Sequence, residues 1–188
     1  MLVLLDRQHL GKPSKPGDHG AVHGALRETD LTDGYIAAAS AALRARGHVV
    51  AVLTEGEYGQ RHAEAIARAK AHPGMAAAYL ACHVNAGGGT YALVEHDARS
   101  AGGKRLADAL AAGFAVLPGV SRGKVIALHA GECGWVCLDG IYAGPSTLSA
   151  ALLEPGFIDV PAHAGLWTAA GLERVGAAIS RACERWAS

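Results

Sequence analysis

Short apolar runs alternate with helical patterns along most of the chain. Apolar or β-branched runs of strand length predict strands at 2–6, 48–53, 75–82, 90–94, 124–129 and 146–153. Apolar residues at helical spacing predict helices at 29–47, 58–72, 101–114 and 168–186. Thr29 or Asp30 is available to cap the first helix. This alternation predicts an α/β fold: one domain, 1–188, with a mostly parallel twisted sheet and helices on both faces.

The stretch 79–96 (YLACHVNAGGGTYALVEH) reads as a strand, a glycine loop and a second strand. His83 lies where the first of these strands ends. In open α/β sheets, ligand and metal sites collect at the carboxyl ends of the strands, where loops carry polar groups over a rigid base. His83 is therefore a candidate ligand, although a histidine that only caps the strand fits the same pattern.

A long segment without periodicity, 7–27, follows the first strand and is rich in Gly, Pro, Lys and His. Loops of this length inside a domain are uncommon unless they are functional or disordered. The segment carries His9, His19 and His23, which favours a functional loop.

Composition excludes several classes of function. The chain has 188 residues, 51% of them hydrophobic, and a formal net charge of zero, so neither a nucleic-acid footprint nor an electrostatic membrane anchor is indicated. No apolar run approaches the roughly 20 residues that span a bilayer. No signal peptide is recognised at Met1, so we expect synthesis in the cytoplasm. Cys133 and Cys137 lie in a predicted loop or hairpin and are expected to be unpaired thiols.

Four side chains near strand ends or helix starts form a candidate hydrolytic constellation: His9, Glu28, His83 and Glu154. Two histidines and one carboxylate on Zn²⁺, with the fourth position left open, are the pattern of catalytic zinc sites. A further carboxylate then serves as the proton carrier. Ten histidines allow other triplets, and His19 or His23 could take the place of His9. The residues alone therefore predict metal-assisted hydrolysis without fixing the bond.

Several segments together resemble the zinc-dependent N-acetylmuramoyl-L-alanine amidases of the cell-division and phage-endolysin type. The segments that carry this resemblance are Asp6–Gly11 (DRQHLG), Asp18–Ala21 (DHGA), Leu26–Asp30 (LRETD), Arg61–Ala69 (RHAEAIARA), Cys82–Ala86 (CHVNA) and Glu154–Val160 (EPGFIDV). Their order and spacing agree over nearly the whole chain. The first turn lacks the family's Pro-Gly pattern, Cys82 stands where the family has Ser, and the Asn expected after Phe157 is not in place.

The resemblance implies a specific activity and a role for each residue. It implies one catalytic Zn²⁺ held by His9, Glu28 and His83, with Glu154 as the catalytic carboxylate. It implies roles in substrate binding or in support of the ligands for Asn85 and Arg61, although Asn85 also fits a plain turn residue. The expected substrate is the amide between N-acetylmuramic acid and L-alanine in peptidoglycan.

The expected biological setting is cell-wall lysis. A phage or prophage endolysin, released from the cytoplasm when the membrane is breached, is expected, and the domain of a longer secreted protein is the alternative. We expect a monomer, with no nucleic-acid partner and no membrane insertion. Two other activities stay open: hydrolysis of another amide or peptide bond, and a non-catalytic wall-binding or regulatory module with this fold.

Overall fold

The computed structural model describes all residues from Met1 to Ser188. The strands are β1 (Leu2–Arg7), β2 (Val22–His23), β3 (Leu26–Arg27), β4 (Val49–Leu53), β5 (Ala77–Cys82), β6 (Ala92–Asp97), β7 (Gly123–Leu128) and β8 (Leu148–Glu154). The α-helices are α1 (Glu28–Ala45), α2 (Tyr58–Lys70), α3 (Ala101–Phe114) and α4 (Ala169–Ala187). Short 3₁₀ turns lie at Trp135–Cys137, Asp139–Ala143 and Pro161–Trp167.

Six of the strands form one sheet in the order β4-β1-β5-β8-β6-β7. All neighbouring pairs are parallel except β6 with β8. Every residue of β5 is buried, as its continuous apolar run predicts for a strand covered on both faces. The predicted α/β fold with a mostly parallel sheet is confirmed.

Helices cover both faces of the sheet. The larger apolar core lies between the sheet and α1, α3 and α4. The smaller core lies on the opposite face, beneath α2 and the 3₁₀ turns of residues 135–143. No helix is both long and apolar enough to cross a membrane.

The structure departs from the sequence-based expectations at several boundaries. Arg27 occupies the N-cap position of α1 and makes no side-chain capping bond, so the prediction of Thr29 or Asp30 as the cap is wrong. The long loop contains the small antiparallel β2–β3 hairpin. The segment around Cys133 and Cys137 forms 3₁₀ turns, and all four cysteines of the chain are free thiols.

Strand register aligns the ends of three parallel strands at one edge of the sheet. Arg7 of β1 pairs with Cys82 of β5, which in turn pairs with Leu153 of β8. The residues that follow these positions therefore emerge side by side. That edge is where the candidate functional side chains lie.

Candidate metal centre and its pocket

Three side chains from separate parts of the chain converge beyond this edge. His9 follows β1, Glu28 begins α1, and His83 follows β5. His9 Nε2 lies 3.2 Å from His83 Nδ1 and 3.2 Å from Glu28 Oε1, and His83 Nδ1 lies 2.9 Å from Glu28 Oε1. Three potential ligand atoms thus form a nearly equilateral triangle.

The dimensions and chemistry of this triangle fit a small divalent ion. Zinc binds histidine nitrogen and carboxylate oxygen at about 2.0–2.2 Å, so ligand atoms on a tetrahedron around it are about 3.3 Å apart. The distances in the triangle are close to that value. Two imidazoles and one carboxylate are also the donor set of catalytic zinc sites, whereas magnesium and calcium prefer oxygen ligands alone.

Glu28 is held rigidly although it opens a helix. Its side chain is buried; Oε1 accepts a hydrogen bond from the backbone N–H of Val84 and Oε2 one from that of Ala21. Burial alone would raise the pKa of Glu28, but hydrogen bonds from His83 and His9 outweigh it and hold the pKa far below its ordinary value. The carboxylate is therefore ionised and fixed, as a metal ligand must be.

His9 occupies a backbone conformation that non-glycine residues rarely adopt. Its φ is +68°, and it is the only non-glycine residue of the chain with a positive φ. Its Nδ1 lies 3.1 Å from Asp18 Oδ2, which leaves Nε2 to face Glu28 and His83. A carboxylate bound to the outer nitrogen of a ligand histidine fixes the tautomer and the ring orientation. The contact between Asp18 and His9 was not predicted from the sequence pattern.

Arg61 supports the turn that carries His9. Its side chain is fully buried in an ion pair with the equally buried Asp6, at 2.8 Å, and donates hydrogen bonds to the carbonyl oxygens of Arg7 and Leu10 on either side of His9. It also bonds to the carbonyl oxygen of Gly56. Because Arg61 is buried and contacts the loop that carries His9, these contacts favour the expected support of the ligands over substrate binding, and its role stays a prediction.

Glu154, at the end of β8, lies in the same pocket as His9 and His83. Asn85 Nδ2 donates a hydrogen bond to Glu154 Oε2. Asn85 is itself fixed, because its backbone exchanges hydrogen bonds with Gly156 and Ile158 in the segment after β8. Burial, with contributions from the charges of Glu95 and Glu28, raises the pKa of Glu154 to about 8.

The pocket is a groove of about 470 Å³ between the sheet and the segment 129–145, which we call the roof loop. The groove is lined by His9, Tyr58, His83, Asn85, Leu93, Glu95, Cys133, Gly134, Val136, Cys137, Leu152 and Glu154. Arg99 anchors the roof loop: it pairs with Asp97 and stacks on the rings of Tyr142 and Trp135, 4.4 and 5.4 Å from their centroids. The contributions of Glu95 and of the roof loop were not expected from the sequence.

The other histidines lie outside the triangle. His19 Nδ1 lies 3.0 Å from the hydroxyl oxygen of Thr29, and His23 is exposed on β2, so neither takes the place of His9. His163 is fully buried and accepts a hydrogen bond from the backbone N–H of Phe157. The structure thus brings together His9, Glu28 and His83, with Glu154 and Asn85 beside them.

Comparison with known proteins finds the same fold in solved structures. No protein-family model matches the chain, and a search of curated proteins finds no significant sequence match. Cwp6 from Clostridium difficile superposes over 100% of this chain with a TM-score of 0.78 at 20% identity, and the chain spans 29% of that protein. The N-acetylmuramoyl-L-alanine amidase AmiC2 of Nostoc punctiforme superposes over 99% of this chain and 96% of its own, with a TM-score of 0.72 at 16% identity.

A third similar structure is the catalytic domain of the CD27L endolysin targeting Clostridia difficile. It covers 98% of this chain and 97% of its own length, with a TM-score of 0.64 at 16% identity. At these identities the likeness establishes the fold, which is that of N-acetylmuramoyl-L-alanine amidases.

Proposed function

We propose that this chain is a zinc-dependent N-acetylmuramoyl-L-alanine amidase that cleaves the amide between the lactyl group of N-acetylmuramic acid and L-alanine in peptidoglycan. The observation that carries the proposal is the convergence of His9, Glu28 and His83 on one point, with Glu154 in the same groove. The shared fold of the amidases supports the choice of bond. A lytic role at the cell wall, as an endolysin, is part of the same proposal.

The proposed ligands are His9 Nε2, His83 Nδ1 and Glu28 Oε1. A zinc ion held there supplies Lewis acidity, which polarises a carbonyl oxygen and lowers the pKa of water. Asp18 fixes the tautomer of His9, and the backbone N–H groups of Ala21 and Val84 fix the carboxylate of Glu28.

Glu154 is the proposed proton carrier. It takes a proton from the attacking water and delivers it to the nitrogen of the departing alanine. Its raised pKa suits this task, because a strongly acidic carboxyl group would be a poor proton donor to an amine. Asn85 holds one oxygen of Glu154, so the other is free to face the reacting atoms.

The test is mass spectrometry of purified peptidoglycan digested by the zinc-loaded protein, with and without a chelator. We expect chelator-sensitive release of stem peptides with a free L-alanine amine and intact glycan strands. Glu154→Gln should abolish release while zinc remains bound, because the residue lies outside the proposed ligand triangle. Cleavage within the stem or the glycan would refute the proposed bond, and no product from zinc-loaded protein would refute the activity and favour a binding module.

A further inference from the structure

A second carboxylate, Glu95, lies in the floor of the groove, away from the metal triangle. In the antiparallel pairing of β6 with β8, Leu93 is opposite Glu154 and Glu95 is opposite Leu152. Alternate residues of a strand share a face, and diagonal neighbours on paired strands lie about 7–8 Å apart. Glu95 and Glu154 are therefore diagonal neighbours on the face that forms the floor.

Glu95 has no partner within the protein. It makes no hydrogen bond and no ion pair; Glu132 and Lys124 influence it only through their charge. Burial, followed by the charge of Glu132, raises the pKa of Glu95 to about 7. A partly buried carboxyl group without a protein partner keeps its hydrogen-bonding capacity for water or for a ligand in the groove. Glu95 lines the groove, so a ligand in the groove can contact its side chain.

The roof loop is shaped around this carboxylate. Gly134 lies directly above it with φ +88°, and a Cβ atom at residue 134 would lie 2.8 Å from Glu95 Oε2. The positive φ favours glycine here, and a larger residue would also push the Glu95 carboxylate aside. The roof loop therefore lies close to the Glu95 carboxylate.

The walls around Glu95 suit a peptide better than a sugar. They are formed by Leu93 and Leu152 in the floor and by Cys133 and Val136 in the roof. These side chains are small or aliphatic, and they match an alanine methyl group. A hydroxylated sugar ring would leave its polar groups without partners there. We therefore assign this part of the groove to the peptide stem.

We propose that Glu95 determines specificity: it accepts a hydrogen bond from a neutral carboxamide on the stem residue after L-alanine, and it repels a free carboxylate at that place. This inference rests on the proposed amidase function. Peptidoglycan stems carry D-isoglutamine or D-glutamate at this position, which differ in this one group. A buried like-charge pair is unfavourable, whereas a carboxamide supplies the donor that Glu95 lacks.

The experiment compares two soluble substrates, N-acetylmuramoyl-L-alanyl-D-isoglutamine and N-acetylmuramoyl-L-alanyl-D-glutamate, at about pH 8.5, where Glu95 is ionised. For the wild-type protein we expect kcat/KM to be about tenfold higher with the carboxamide, equivalent to about 1.4 kcal/mol. Glu95→Gln should bring the ratio to within about twofold by improving cleavage of the carboxylate substrate. Glu173→Gln removes the same charge from an exposed site on α4 outside the groove, and it should keep the wild-type ratio.

Equal cleavage of both substrates by the wild-type protein, or an unchanged ratio in Glu95→Gln, would overturn the assignment. Calorimetric binding of L-alanyl-D-isoglutamine and L-alanyl-D-glutamate to the zinc-loaded wild type and Glu95→Gln supplies a readout without turnover. Failure to cleave either substrate would refute the amidase function, and the binding ratio would then decide the role of Glu95. A wild-type binding preference lost in Glu95→Gln would support that role, and its absence would overturn it.

Discussion

Gly20 provides a direct test of how the metal triangle is built. Its φ is +65°, and a Cβ atom there would lie 2.7 Å from His9 Cδ2 and 2.8 Å from Glu28 Cδ. Ordinary carbon–carbon contacts are about 3.5–4.0 Å, so Gly20→Ala must move both ligands by roughly 0.8 Å. Glu28 cannot yield freely, because its carboxylate accepts hydrogen bonds from the backbone N–H groups of Ala21 and Val84.

Gly17 is the matched control in the same loop. It has a similar φ of +78°, and nothing lies within 4 Å of a Cβ atom placed on it. Alanine in this backbone region costs about 1–2 kcal/mol at either position. Gly20→Ala additionally breaks a hydrogen bond to the buried carboxylate of Glu28, which contributes about 1.5–3 kcal/mol. The difference in zinc affinity and in unfolding free energy between Gly20→Ala and Gly17→Ala therefore isolates the effect of displacing His9 and Glu28.

Zinc affinity, measured by competition with a chromophoric chelator, is the assay. We expect affinity to fall about 10–100-fold in Gly20→Ala, the range seen when the support of ligands is removed, and to change little in Gly17→Ala. Urea unfolding of the metal-free proteins should show Gly20→Ala to be less stable than Gly17→Ala by about 2 kcal/mol. Equal zinc affinities in the two variants would refute the proposed ligand assignment of His9 and Glu28.

Three further outcomes are expected. Asp18→Asn should lower zinc affinity about 10–100-fold by releasing His9. Little stability should be lost, because the asparagine side-chain oxygen can still accept the hydrogen bond from the Gly20 backbone N–H; unchanged affinity would exclude the orienting role of Asp18. The folded-state pKa of Glu154, about 8, exceeds its unfolded value of about 4.5. The metal-free protein should therefore lose stability, on the order of 3 kcal/mol, as pH rises between these two values. Urea unfolding at a series of pH values should show a weaker pH dependence of the unfolding free energy in Glu154→Gln. Arg61→Lys should destabilise the protein by about 2–4 kcal/mol and weaken zinc binding. The control Arg68→Lys, at an exposed position of the same helix, should change stability by less than about 1 kcal/mol. Equal losses of stability by urea unfolding would contradict the role of Arg61 in supporting the loop that carries His9.

The sequence predicts the layered architecture well, because continuous apolar runs and helical periodicity reflect burial directly. β1 and β5 are recognisable since almost every residue in them is buried. Whether a strand runs parallel or antiparallel to its neighbour does not change the pattern of apolar residues in its sequence. The antiparallel course of β6 beside β8 follows from chain connectivity in three dimensions, so periodicity alone does not reveal it.

The candidate site is less predictable from local pattern. His9, Glu28 and His83 are far apart in the chain, and only the register of the strands and the start of α1 bring them together. The left-handed turn at His9 is accompanied by tertiary hydrogen bonds from Arg61 to the carbonyl oxygens of Arg7 and Leu10, which the local sequence does not reveal. The sequence of the roof loop has no periodicity, and its contacts with Arg99 come from a distant part of the chain, so local pattern does not predict its path.

The place of β8 in the sheet has a consequence for biosynthesis. Among the strands of this sheet β8 comes last in chain order, yet it lies in the interior of the sheet between β5 and β6, and it carries Glu154. A nascent chain that lacks β8 exposes two unpaired strand edges and lacks Glu154, the proposed proton carrier. Completion of the sheet and arrival of Glu154 in the groove are therefore one event, so under the proposed function a growing polypeptide on the ribosome cannot hydrolyse its substrate until β8 has been inserted.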